Sequence, residues 1–329
     1  MTRGSNRITL VHVAEAAGVS LSTASHAFGV DKPISDATRA RVLAAAAELG
    51  YEGPDPRARS LRSGRTDIIG VQVDDEAGRA FRDPVIIGIL DGVSAALAAS
   101  PTSVLLIPDS VPEERLRTLP VDGIVAAGCS PTLPQLRAAM AKRSIPVVTA
   151  GNQVDDIGSV GVENRSATAL LTEHLRSLGH RTVGIVRLRH GDVEKARTGA
   201  ALAAFAGSPI AVSTDSTIDE GFRATTELLD RSRPTAVIAQ SDLLAVGAIR
   251  AAQSRGLRVP EDLSVVGFDG VRIDGFDRIL TTIRQPIVDM GRRAAQALLA
   301  AQDGAPLPTV AMDVELIVGD TTGPAPQAD

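Results

Sequence analysis

The stretch Ile8 to Phe28, ITLVHVAEAAGVSLSTASHAF, decides how the rest of the chain is read. Leu10, Val13, Ala14 and Ala17 recur at helical spacing, Gly18 allows a sharp turn, and Ser20 stands where an N-cap opens a second short helix ending near Phe28. So tight a turn packs Val19 and Ala24 back on Val13 and Ala14, and the second helix turns Leu21, Ser22, Ser25 and His26 outward. That face is compact and shallow enough for a DNA major groove. An ordinary helical hairpin of a protein core has the same periodicity, so the neighbouring sequence has to separate the two. Ser35 caps a third helix, Asp36 to Leu49, whose Val42, Leu43, Ala46 and Leu49 form an apolar stripe and whose end is marked by Gly50. Three short helices then close a small core.

After Tyr51 comes GPDPRARSLRSGRT. Pro54 and Pro56 break the third helix, and Arg57 to Ser63 can form only one or two helical turns, too few to be stable alone in water. Residues 1–66 hold eight Arg and one Lys against six acidic residues, a balance of +3, whereas the whole chain of 329 residues carries −5. Arg57, Arg59, Arg62 and Arg65 crowd the linker, where phosphate contacts would supply salt-sensitive affinity. A solvated linker explains the charge but not an exposed leucine, Leu61, among the arginines.

VAEAAGVSLSTAS, SDATRARVLAAAAELGY and ARSLRSGRT together resemble the DNA-binding headpiece and hinge of the lactose-repressor (LacI/GalR) family of bacterial transcription regulators. The resemblance implies a DNA-facing set of Thr9, Ser20, Leu21, Ser22, Thr23, Ser25, His26, Thr38, Arg57, Ala58 and Leu61. It also implies a hinge helix that forms on operator DNA and pairs with its dimer mate. There Leu61 wedges between base pairs, and Ala58 lets the two helices approach. Leu21 and Ser22 fall at the positions associated with operator choice. His26 stands where the family usually has Arg and Gly29 where it has Asn, so the usual bidentate contact to guanine is lost.

From Asp67 onward IIGVQV, SVLLIPD, DGIVAAG, IPVVTAG, TVGIVRL, TAVIAQSD and LSVVGFDG read as buried parallel strands, being apolar runs without polar alternation. Helical stretches, Val85–Ala99, Arg165–Leu178, Leu243–Arg255 and Val288–Ala301, lie between them. The expected fold is a helix-turn-helix headpiece joined to an α/β core of two doubly wound parallel-sheet subdomains, like periplasmic binding proteins. The expected division is headpiece 1–52 and hinge 53–66, then a first subdomain 67–158 to which 286–309 return. The second subdomain is 159–285 with 310–320, and 321–329 form a flexible tail.

In such sheets ligands sit beyond the carboxyl ends of strands, which points to Asp74, Asn152, Ser241, Asp242 and Asp269. Helix capping explains Asp242, and a turn explains Asp269, about as well as ligand binding does. The resemblance implies that Asp242 and Asp269 hydrogen-bond sugar hydroxyls, that Gln285 faces the ligand, and that Arg197 clamps it. Glu163, Asn164, His174 and His180 match structural positions. In the first βα loop, Asp83, Pro84, Val85 and Ile86 replace an Asn-Pro-aromatic pattern, and Gly151 replaces a carboxylate. The chain has no Trp and one Tyr, which leaves Phe81, Phe222, Phe268 and Phe276 as the aromatics available to a cleft, with Phe205 in a helix core. A sugar, a sugar phosphate drawn to Arg82 or Arg197, and a non-carbohydrate all remain open as effector.

The expected protein is a ligand-responsive transcription regulator, a repressor acting as a dimer on double-stranded operator DNA, and not an enzyme. A transport solute-binding protein shares the core but predicts a secretion signal and no headpiece. An enzyme finds no Walker loop, GxGxxG, nucleophile elbow or HExxH. Cys129, the single cysteine, excludes an internal disulfide and builds no metal site alone, and no cofactor is expected. No membrane partner is expected either: apolar runs are short and Met1 to Asn6 lead into no signal-peptide core, so a cytoplasmic protein is expected. The last residues, ELIVGDTTGPAPQAD, show no leucine heptads, so no tetramerisation helix is expected.

Overall fold

The computed structural model describes residues 8–28, 34–53, 64–73, 80–128, 130, 132–151, 157–189 and 191–327. Arg57, Ala58, Leu61, Asp74, Cys129 and Asn152 lie outside the described residues. The chain falls into two compact units, 1–66 and 67–329.

In the first unit α1 (Leu10–Ala16), α2 (Leu21–Ala27) and α3 (Asp36–Leu49) surround Val13, Ala14, Ala17, Ala24, Ala27, Val42, Ala45 and Ala46. Six of these eight residues are alanine. Ser20 and Ser35 cap α2 and α3 by accepting from the Thr23 and Thr38 amides, and Gly50, at φ 67°, ends α3 in the left-handed conformation that glycine adopts without strain. Arg39 donates to the Ala27 carbonyl at 2.8 Å, satisfying the end of α2, and the Phe28 and Tyr51 rings meet edge-on at 5.5 Å. The stripe of α3 differs from expectation at Leu43, which is 43% exposed. Residues 42, 45/46 and 49 share a face, and position 43 lies about 100° round from 42.

The second unit contains two parallel sheets. The first has the order β11-β5-β4-β3-β1-β2, with β1 Ile68–Val73, β2 Ser103–Pro108, β3 Gly123–Ala127, β4 Val147–Gly151, β5 Gly158–Val162 and β11 Thr309–Met312. It is flanked by α4 (Pro84–Leu97), α5 (Glu113–Leu116), α6 (Leu133–Ala141) and α11 (Ile287–Gln302). The second has the order β7-β6-β8-β9, with β6 Val183–Leu188, β7 Ile210–Ser213, β8 Ala236–Ala239 and β9 Ser264–Val266. Its helices are α7 (Asn164–Ser177), α8 (Asp192–Ala204), α9 (Ile218–Arg231) and α10 (Asp242–Ser254). A two-stranded antiparallel ribbon, β10 (Thr282–Arg284) with β12 (Glu315–Ile317), carries the chain between the sheets.

Three boundaries differ from expectation. Gly158–Val162 pairs with β4, so the chain leaves the first sheet after Val162 and not at 158. Thr309–Met312 pairs with β5, so residues 310–312 belong to the first sheet and a further crossing follows Met312. Residues 321–327 are packed rather than a loose tail. Thr321 exchanges two hydrogen bonds with Val265, the Ala325 amide donates to Leu178, and the Gly323 carbonyl faces His180 Nε2 at 3.1 Å. The backbone of this segment thus finds partners in the second subdomain that its Pro- and Gly-rich composition does not advertise.

Each subdomain is held by a helix pair whose backbones touch through glycine. A Cβ at Gly92 of α4 would overlap the Val288 carbonyl of α11, and one at Gly291 the Ile89 carbonyl. In the second subdomain Gly221 of α9 and Gly247 of α10 approach Leu244 and Ile218 in the same way. Gly92→Ala must therefore separate two helices at their backbones and is expected to destabilise the core by about 3 kcal/mol, read from its urea-unfolding transition.

His180 is fully buried between Thr235, Ser264 and Gly323, and burial pushes its pKa below the ordinary 6.5, with the His174 charge acting in the same direction. The unfolded chain then binds more protons than the folded one as pH falls below 6.5, so stability is lost on acidification through that range. Urea unfolding at pH 7.5 and 5.5 is expected to show a smaller loss of stability for His180→Asn than for the unsubstituted chain.

Candidate functional site

On the headpiece, Leu21 is 51% exposed at the start of α2 beside exposed Ser22, while Thr23, Ser25 and His26 are half-buried. The outward face is therefore narrower than the sequence implies. Ser20 and Thr23 spend their hydroxyls on each other at 2.8 Å, and Ser35 and Thr38 do so at 2.9 Å. Thr9 is exposed at the N-terminus of α1, its amide donating to His12 Nδ1 at 3.1 Å.

In the core, the carboxyl ends of both sheets enclose a cavity of about 460 Å³. First-subdomain groups on its wall include Asp83, Asp109, Ser130 and Met290; second-subdomain groups include Arg189, Glu194, Arg197, Gln240, Ser241 and Asp269, and Gln285 follows the crossover strand. Asp83 also caps α4, accepting from the Val85 amide at 2.9 Å, and Ser241 caps α10 while meeting the Ser216 hydroxyl at 2.8 Å. Asp109, Ser130, Glu194 and Gln240 were missed by sequence reasoning. Asp109 and Ser130 follow β2 and β3, so the strand-end rule reaches them; Glu194, on the first turn of α8, carries no sequence signal.

Arg197 is buried in that wall. Its Nε donates to Asn164 Oδ1 at 2.8 Å, its Nη1 donates to the Gln240 carbonyl at 2.7 Å, and its guanidinium lies 3.5 Å from the centre of the Phe268 ring. Asp269 Oδ1 is 3.9 Å away and accepts from Gln285 Nε2 at 2.8 Å. Asp269 holds φ 122°, a conformation strained for any residue but glycine, and is kept there by backbone hydrogen bonds to Ile283 and Gln285. Burial pushes its carboxyl well above the ordinary range; Arg197 opposes the shift and the charges of Asp242 and Asp83 add to it.

Two expected wall residues lie elsewhere. Asp242 is turned into the protein, accepting from Thr282 Oγ1 at 2.5 Å and the Val271 amide at 2.8 Å, so it braces the crossover strand. Burial raises its pKa also. Phe81 is 66% exposed and lines an outer groove with Ile87 and Val288, and Arg82 shares that groove. The turn that brings Asp83 to the wall as an N-cap leaves the residues before it outside. Phe268 lies buried beneath Arg197 and off the cavity wall. Among the described residues no group of three or more His, Cys, Asp or Glu is placed to hold a metal, and no helix is long and apolar enough to cross a membrane.

A helix-turn-helix unit followed by two parallel sheets whose carboxyl ends share one cavity defines a DNA-binding transcription regulator with a ligand-binding domain. Residues 9–53 match the model of bacterial regulatory proteins of the lacI family, and residues 172–322 match the periplasmic binding protein-like domain. The chain is 30% identical to an HTH-type transcriptional regulator of Mycolicibacterium smegmatis, over 97% of each chain, and 31% identical to the HTH-type transcriptional repressor CytR of Escherichia coli K12, again over 97% of each. Among solved structures it is similar to the lac repressor dimer bound to operator and the anti-inducer ONPF (TM-score 0.81, 26% identity, covering 97% of this chain and 100% of that one). It is likewise similar to the transcriptional regulator CelR in complex with cellobiose (TM-score 0.70, 28% identity, covering 96% and 100%). The chain belongs to the lacI family of bacterial transcription regulators, and is not an enzyme.

Removing the Arg197 guanidinium takes the donor from two buried acceptors, Asn164 Oδ1 and the Gln240 carbonyl, and the nearby positive charge from Asp269. Arg197→Met is expected to destabilise the core by about 3 kcal/mol, measured by urea unfolding.

Proposed function

We propose that this regulator is a cytoplasmic repressor that binds a two-fold operator as a homodimer and changes its affinity when a small polar effector fills the core cavity. The observation that carries the reading is the presence on one chain of a helix presenting Leu21 and Ser22 to solvent and of a cavity, apolar groups and carboxylates together on its wall, built from both sheets. Leu21 and Ser22 read base edges in the major groove, supported by Thr9, Ser20, Thr23, Ser25, His26 and Thr38. Arg57 and Ala58 bring two hinge segments onto the duplex, and Leu61 wedges into its minor groove. Leu21 suits a thymine methyl, and His26 gives no bidentate fork for guanine.

The effector contacts Asp83, Asn152, Ser241, Asp269 and Gln285, and Arg197 acts from behind by fixing Asp269. The cavity draws on both subdomains, so a ligand that favours the closed form shifts one equilibrium that operator binding also biases; coupling of about 1–3 kcal/mol suffices for such a switch. The relatives support the reading in kind: CytR is a named repressor, and the CelR and lac repressor structures carry small ligands.

The experiment is selection of a duplex from a random-sequence pool, followed by fluorescence anisotropy. Full-length protein is expected to prefer the selected duplex over bulk competitor. Leu61→Ala is expected to lose about tenfold in affinity, roughly 1.4 kcal/mol, with effector affinity unchanged within about twofold. No selectable duplex, with or without candidate metabolites, would overturn the proposal.

A further inference from the structure

Glu194 sits on the wall of the cavity at the start of α8, 6% exposed, and its Oε2 has no hydrogen-bond partner among the described residues. The neighbouring polar groups are matched: Gln240 Nε2 donates to the Glu194 carbonyl and to Thr198 Oγ1, Gln240 Oε1 accepts from the Leu188 amide, and Ser216 meets Ser241. Gly191, at φ 132°, makes the placement possible, because a Cβ there would overlap the Glu194 carboxyl. A buried acceptor left without a donor is destabilising, and such groups in native proteins usually have a partner supplied from elsewhere.

The charge of the wall narrows what that partner is. Asp83, Asp109, Glu194 and Asp269 face Arg189 and Arg197, and Arg197 is already engaged by Asn164, Gln240 and the Phe268 ring. An anionic ligand such as a sugar phosphate would meet an acidic lining whose buried cation is committed. No aromatic side chain stands on the cavity wall among the described residues, so a sugar face has no ring to stack on. Beside apolar groups such as Ile86, Val193 and Met290, the wall offers four carboxylates.

We propose that the effector is a small polyol bearing a protonated amine, and that Glu194 Oε2 receives the ammonium group. The inference rests on the cavity being the effector site. Burial pushes the Glu194 pKa up, with Asp192 adding to the shift and a backbone hydrogen bond, Arg197 and Arg187 opposing it, and an ammonium ion set against Oε2 adds a direct charge partner there. At a carboxyl as buried as that of Glu194 the pairing discriminates strongly between an amine and the hydroxyl that would stand in its place.

The test compares paired probes by thermal shift and calorimetry on the full-length protein: glucosamine, galactosamine, mannosamine and glucamine against glucose, galactose, mannose and glucitol, with hexose phosphates as a third arm. At least one amine is expected to bind about tenfold or more tightly than its hydroxyl parent, and Glu194→Gln is expected to erase that preference. The preference in the unsubstituted protein stands as evidence even where the variant folds poorly. The proposal is overturned if no amine binds, if hydroxyl parents or phosphates bind as well or better, or if Glu194→Gln keeps the preference. Operator anisotropy separates the two readings: a neutral sugar or phosphate that releases or strengthens DNA binding sinks the amine and leaves the regulator intact. An amine that binds without altering DNA affinity leaves the subsite and sinks its role as effector site.

Discussion

The buried guanidinium of Arg197 is the contact on which the core is assembled. It joins groups from three strand ends: Asn164 just after β5, Gln240 just after β8, and Phe268 with Asp269 just after β9. A guanidinium taken out of water is tolerated only where its donors are met, and here two hydrogen bonds, a ring face and a nearby carboxylate share that task. The arrangement works in reverse as well. With Arg197 in place, Asp269 can be buried beside two other carboxylates, and its unfavourable backbone conformation is held while it accepts from Gln285.

Asp269 and Asp242 are both tied to the crossover strand. Asp269 is bonded through its backbone to Ile283 and Gln285, and Asp242 through its side chain to Thr282. The first of these lies on the cavity wall and the second behind it. A ligand that draws on Asp269 therefore acts on β10, the strand by which the chain passes from one sheet to the other. These hydrogen bonds join the cavity wall directly to the crossover strand.

Much of this was legible in the sequence. Serines at 20 and 35 and glycine at 50 mark helix ends by chemistry that acts locally, so the headpiece helices lie where their caps put them. Long apolar runs such as IIGVQV and DGIVAAG can only be buried strands. Shorter pieces escaped. SVGV, IAVS and TVAM are too brief or too mixed with glycine and polar residues to stand out, and each is a strand because a neighbouring strand supplies its hydrogen bonds. The packed segment 321–327 owes its place to Val265, Leu178 and His180, all distant in the chain. The cleft divides in the same way. Ser241 and Asp269 follow from the strand-end rule, but whether a carboxylate faces the cavity or the crossover depends on tertiary partners, which is why Asp242 and Phe81 stand elsewhere. The absent partner of Glu194 is visible only once every neighbour is placed.

The glycine contacts determine how the core can move. Where Gly92 and Gly291 set α4 against α11, and Gly221 and Gly247 set α9 against α10, the helices touch backbone to backbone, and sliding one past the other would drive carbonyls into α-carbons. Each subdomain is thereby stiff. Between the subdomains the chain passes after Val162 and through the ribbon of Thr282–Arg284 with Glu315–Ile317, and one buried apolar cluster continues from Val71 and Val148 into Ile185, Ile238 and Phe268. The wall of the cavity and the apolar cluster behind it both draw on residues of the two subdomains, so a change in how the subdomains pack alters the cavity itself.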